Sequence, residues 1–160
     1  MLKKILGTIC LIALGIAPCV AQSDSSEIVP KWGENVQGVQ LSITMTNSFF
    51  ESGSTITIVT VIKNSSTNAI QLAELSQPAD YDILLKNGAN KVYHLIQKPL
   101  IIRMRTMLTI NPGEQIVRII PATIGMNIVP GDYTLQATRS FSLNGSSFGL
   151  ESNLLKVHIK

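Results

Sequence analysis

His94 and His158 are the only histidines in this chain, and their surroundings decide whether acid–base chemistry is available. A nucleophilic triad needs an imidazole oriented by an acid and placed beside a hydroxyl or thiol. Neither histidine lies near such a grouping in sequence, and no G-x-S-x-G elbow occurs. Both fall inside strand-like segments and read as surface residues. Asp80 and Asp82 stand two apart, so a strand would set both on one face. Paired carboxylates there could hold Ca²⁺ or act as acid and base. Calcium needs six to eight oxygens, however, and no D-x-D-x-D-G loop supplies them, so a solvated face is expected. Glu114 and Asp132 each follow a Pro-Gly pair and read as turn residues. No catalytic, cofactor-binding or metal-ligating residue emerges, and the chain is read as a non-enzyme without a cofactor.

Carbohydrate recognition is the other chemistry that the residue types allow. The aromatic residues are Trp32, Phe49, Phe50, Tyr81, Tyr93, Tyr133, Phe141 and Phe148. They are scattered, and Phe49-Phe50, in an expected turn from Asn47 to Ser54, is the pair best placed to form a sugar platform. A core or lid role is the competing reading. Asn64-Ser65-Ser66 and Asn144-Gly145-Ser146 fit the glycosylation sequon, but the leader is bacterial in style and they are given no weight.

The first residues, MLKKILGTICLIALGIAPCVAQS, have a positive start at Lys3 and Lys4, an apolar run and a small-residue end. That is the layout of a secretory signal peptide. The run is shorter than the ~20 residues that cross a bilayer. Cleavage after Ala21 gives three parts: a signal peptide (1–21), a flexible leader (22–37) and one domain (38–160). The product is secreted or periplasmic. A lipoprotein reading, with lipid on Cys19, competes with it. Cys10 and Cys19 are the only cysteines, so the mature chain has no disulfide, catalytic thiol or thiolate zinc site. Loss of Lys3 and Lys4 removes two of the 13 basic residues, which leaves a balance of about +1 against the 10 acidic ones. Arg103 and Arg105 are the densest basic spot, which is no patch for nucleic acid.

From Gly38 onward the hydrophobic period is two. Val39, Leu41, Ile43 and Met45 alternate with polar residues, which predicts a half-wet strand. TITIVTVIK (Thr55 to Lys63) is nearly all β-branched and predicts a central strand. Ile70 to Leu75, Tyr81 to Leu85, Lys91 to Ile96, Ile101 to Ile110, Gln115 to Ile120, Tyr133 to Ala137 and Leu155 to Ile159 follow. Asn87-Gly88 and Asn144-Gly145 mark hairpins. Asn111-Pro112-Gly113-Glu114 suits a type II turn, and Val129-Pro130-Gly131-Asp132 repeats its Pro-Gly chemistry. Tyr133 is placed to return its hydroxyl to backbone near that second turn, as in a tyrosine corner. The expected fold is all-β, an antiparallel sandwich of about eight strands.

Val39 to Met45, Ser54 to Lys63 with its Asn64-Ser65-Ser66 exit, Tyr81-Asp82-Ile83, the Leu108 to Glu114 hairpin and Pro130 to Leu135 together resemble a bacterial immunoglobulin-like sandwich. Their order is similar to the bacterial intracellular proteinase inhibitor domain over Gly38 to Ala137. The resemblance implies a module that binds protein partners or has a structural role at the cell envelope. A first alternative is peptidase inhibition through an end loop such as Pro121 to Val129. A second is carbohydrate binding through Phe49 and Phe50. The Cys and Trp pattern of antibody domains is absent.

Overall fold

The computed structural model describes residues 30–74, 80–96, 106–143 and 146–160. The expected signal peptide, both cysteines, Arg103, Arg105 and the Asn144-Gly145 turn lie outside them. Eleven strands and no helix occur among the described residues: β1 (Val39–Thr44), β2 (Phe49–Phe50), β3 (Thr55–Asn64), β4 (Ile70–Glu74), β5 (Tyr81–Asn87), β6 (Val92–His94), β7 (Thr106–Ile110), β8 (Gln115–Thr123), β9 (Gly131–Leu143), β10 (Ser146–Glu151) and β11 (Leu155–Ile159). One sheet has the order β1-β3-β8. A larger one runs β2-β11-β9-β5-β6, with β10 also on β9, and β4 pairs with β7. All pairings are antiparallel except β2 with β11. The expected count of about eight strands falls short mainly at β2 and β10. Two-residue β2 carries no alternation, and β10 (SSFGLE) has few apolar residues to alternate.

The period-two rows form one core. Val39, Leu41 and Ile43 of β1, Ile56, Ile58 and Ile62 of β3, and Ile120 of β8 meet Tyr81, Ile83 and Leu85 of β5 and Leu135 of β9 in a single buried cluster. β-Branched side chains on both faces suit β3, which lies between two neighbours. The polar row of β1 is less wet than its sequence suggests. Ser42 is fully buried, and its hydroxyl donates to the Lys31 carbonyl at 2.7 Å. Residues 31–36, read as leader, run beside β1. Gly33 N–H donates to Leu41 O at 2.9 Å, and Val36 and Val39 exchange both backbone bonds. A side chain at Gly33 would overlap the carbonyl of Glu151. Asn153 completes this edge: its Oδ1 accepts from Ile43 N–H at 2.8 Å, and its Nδ2 donates to Ile43 O at 3.1 Å.

The turns divide into those that behave as expected and those that do not. Gly113 has φ +79 and Glu114 N–H donates to Asn111 O at 3.0 Å, as a type II turn requires. The second Pro-Gly pair differs. Gly131 has φ +150 and already pairs with Ile159 as the first residue of β9. Asn87-Gly88 is not a two-residue hairpin turn either. Asn87 N–H donates to Lys91 O at 3.1 Å, and Asn90, not Gly88, takes the left-handed conformation with φ +64. Strand β8 continues through Pro121, beyond the expected end at Ile120. Proline is tolerated there because β8 is an edge, where its missing N–H costs no ladder bond.

Candidate functional site

The outer face of the larger sheet is laid out in rows by its register. Asp132 stands opposite His158 on β11, and His158 stands opposite Phe49 on β2. In the next row Thr134 is flanked by Lys156 and Lys86, and Lys86 by Val92. In the third, Gln136 faces Leu84, and Leu84 faces His94. These side chains point away from the core because their neighbours Tyr133, Leu135, Ile83 and Leu85 point into it. The rows, His94 excepted, form the floor of a concave site of about 780 Å³, bounded by Ser48, Phe49, Asn87, Asn90 and Leu154.

Phe49 is the principal aromatic of this site. It is 57% exposed, although it lies on a strand and not in the expected turn. Its ring centroid lies 5.9 Å from that of His158, and Lys160 Nζ lies 5.7 Å from its centre. Phe50, its companion in the sequence reading, instead packs against the core. Trp32 is half-buried with Lys63 Nζ 5.7 Å from its ring. Phe141 and Phe148 pair at 5.4 Å on β9 and β10, and Tyr93 meets Tyr133 edge-on at 6.1 Å.

Both histidines carry an aspartate partner that their sequence positions do not disclose. His158 Nδ1 lies 2.8 Å from Asp132 Oδ1, and His94 Nδ1 lies 2.8 Å from Asp82 Oδ1. Register alone explains this: Asp132 is opposite His158, and Asp82 is diagonal to His94 across the β5-β6 hairpin. Each pair is thus an imidazole oriented by an acid, but no hydroxyl or thiol hydrogen-bonds to either ring among the described residues. No group of three or more His, Cys, Asp or Glu suited to a metal occurs among the described residues. Glu114 is a turn residue. Hydrogen bonds from the side chain and backbone of Asn111 hold its carboxyl below its usual range.

The loop nominated for peptidase inhibition is anchored at both ends. Pro121 to Thr123 belong to β8, and Ile124 and Ile128 are buried, which leaves Met126 and Val129 as the exposed apolar residues. Asn64 is also engaged. It is fully buried, its Nδ2 donates to Asn68 O at 2.7 Å and Ile110 O at 2.9 Å, and its Oδ1 accepts from Ser66 N–H at 2.9 Å. Such an amide is closed to glycosylation in the folded domain.

No family model and no curated protein matches this chain. Among solved structures it is similar to the C-terminal domain of wzt, with TM-score 0.51 and 11% identity over 81% of this chain and 76% of that one. It is also similar to Spo0M, a sporulation control protein from Bacillus subtilis, with TM-score 0.52 and 11% identity over 78% of this chain. It spans half the length of that protein. At these identities the likeness is one of fold alone, a β-sandwich-like architecture.

Proposed function

We propose that this chain is an exported, non-catalytic, immunoglobulin-like recognition module that binds a carbohydrate across the outer face of its larger sheet. The observation that carries this reading is Phe49, an exposed ring fixed by strand pairing at the rim of a concave floor. Sugars offer an apolar C–H face and many hydroxyls, so they suit a ring beside donors and acceptors held in fixed rows. Gln136, Thr134, Asn87 and Asp132 provide those groups. The immunoglobulin-like assignment is supported by strand order: β1-β3-β8 and β11-β9-β5-β6 follow the A-B-E and G-F-C-C′ orders of such sandwiches. Export is supported by the sequence of residues 1–21, and N-terminal sequencing of the exported protein should begin at Gln22. A glycan array probed with the wild type and Phe49→Ala tests the ligand reading. Signals should fall at least about tenfold in the variant; equal signals would reject it.

A second reading, protein interaction, is favoured by β8. This edge strand exposes Val117 (55%) and Ile119 (62%), a surface to which an extended partner chain could add a strand.

A further inference from the structure

Lys86 and Lys156 occupy the centre of the concave face, one on each side of Thr134. Their Cα atoms are two strand spacings apart, ~10 Å, so two long side chains rise from the floor on either side of a short one. Among the described residues neither lysine has a carboxylate partner, whereas Asp132, Asp82 and Glu151 on the same face each have a hydrogen-bonding partner. Asp132 is held by His158, and Asp82 by His94. Glu151 Oε2 accepts from Gln136 Nε2 at 3.2 Å. A third lysine, Lys160, stands at the rim over Phe49. The centre of the face thus presents two exposed ammonium groups, with the hydrogen-bonded carboxylates in the adjoining rows.

We infer that the carbohydrate bound here is acidic, a uronate-containing oligosaccharide whose carboxylates lie between Lys86 and Lys156. This rests on the carbohydrate reading above and adds the charge of the ligand to it. Lysine suits the task because its ammonium is a point charge on a flexible stem, which accepts a carboxylate from several directions without demanding bidentate geometry.

The test uses isothermal titration of the full domain with an oligogalacturonate and with a neutral gluco-oligosaccharide of equal length, at two salt concentrations. The oligogalacturonate should bind at least about tenfold more tightly than the neutral chain and weaken with salt. Lys86→Gln/Lys156→Gln should abolish that preference, and Lys86→Arg/Lys156→Arg should retain most of it. Both lysines are exposed, so an unchanged urea midpoint should accompany the loss. Equal affinity for the two ligands, or a preference that survives in the double Gln variant, would overturn the inference. If the neutral chain alone binds and Phe49→Ala removes that binding, the inference fails while the carbohydrate reading stands. If neither ligand binds, both fail.

Discussion

The Tyr133 hydroxyl donates to the Val129 carbonyl at 2.6 Å, reaching four residues back along the chain to fix the entry to β9. The bond is the tyrosine corner expected from the sequence, but the turn it secures is not a second type II turn. Val129 O has the phenol as its partner where a tight turn would supply the Asp132 N–H. Tyr133→Phe should therefore lower stability by about 1 kcal/mol. Urea unfolding should show a lower midpoint with unchanged slope. An unchanged midpoint would mean the hydroxyl contributes nothing.

The same hydroxyl predicts a pH dependence. Burial, then the neighbouring Tyr93, raises the Tyr133 pKa above its ordinary value of 10.0. The unfolded chain therefore loses this proton first. The contribution to stability is complete below about pH 10 and is lost as the pH rises from there through the raised folded value. Unfolding midpoints followed from about pH 9 upward should fall more steeply for the wild type than for Tyr133→Phe. Parallel curves would contradict the assignment.

Asn153 substitutes for a neighbouring strand by bonding both backbone groups of Ile43. Asn153→Ala would leave an N–H and a carbonyl unmatched at a half-buried edge, with an expected cost of about 1–3 kcal/mol. Amide hydrogen exchange at Ile43 should accelerate selectively, while exchange at β9 tracks only the global loss.

Arg139 is 3% exposed and is held by neutral partners. Its Nη1 donates to the Tyr81 hydroxyl at 3.1 Å and its Nη2 to Ala73 O at 3.2 Å. Its guanidinium carbon lies 5.0 Å from the Tyr81 ring centre, and its Nε lacks a partner among the described residues. With only neutral hydrogen-bond partners among the described residues, Arg139→Met should be tolerated better than loss of a buried charge pair, which costs about 3–5 kcal/mol. A double-mutant cycle with Tyr81→Phe should give a coupling of about 1–2 kcal/mol. A coupling near zero would show that the phenol does not hold the guanidinium.

On β8, Val117→Lys/Ile119→Lys should remove binding of an extended protein partner and leave stability within about 0.5 kcal/mol per site. A pull-down with unchanged capture would dismiss that edge as an interface.

Much of the framework was legible in the sequence, because alternation reports which way each side chain faces. Tyr81, Ile83 and Leu85 point inward as expected, and so do Tyr133, Leu135 and Ala137. The site was far less legible. The His158–Asp132 pair is separated by 26 residues, and nothing local to either side chain specifies their register. Phe49 reads as a turn residue because its strand is only two residues long and forms by parallel pairing with the distant β11. Ser42 looked solvent-facing because alternation cannot show that residues 31–36 fold back beside β1. The one local signal that could have indicated the face is the outward set Lys86, Thr134 and Lys156, which acquires meaning only once three strands are aligned.

The two edges of the smaller sheet are unequal. At β1, Gly33, Val36 and Asn153 occupy outward-facing backbone groups of Val39, Leu41 and Ile43, whereas no strand pairs with the far side of β8 among the described residues. A sheet with one sealed end cannot act as a link in a growing ribbon. Any strand-to-strand joining of two copies through β8 consumes the open end of each and terminates at a pair. The Asn153 side chain and residues 31–36 thus act as a chain stop for this sheet.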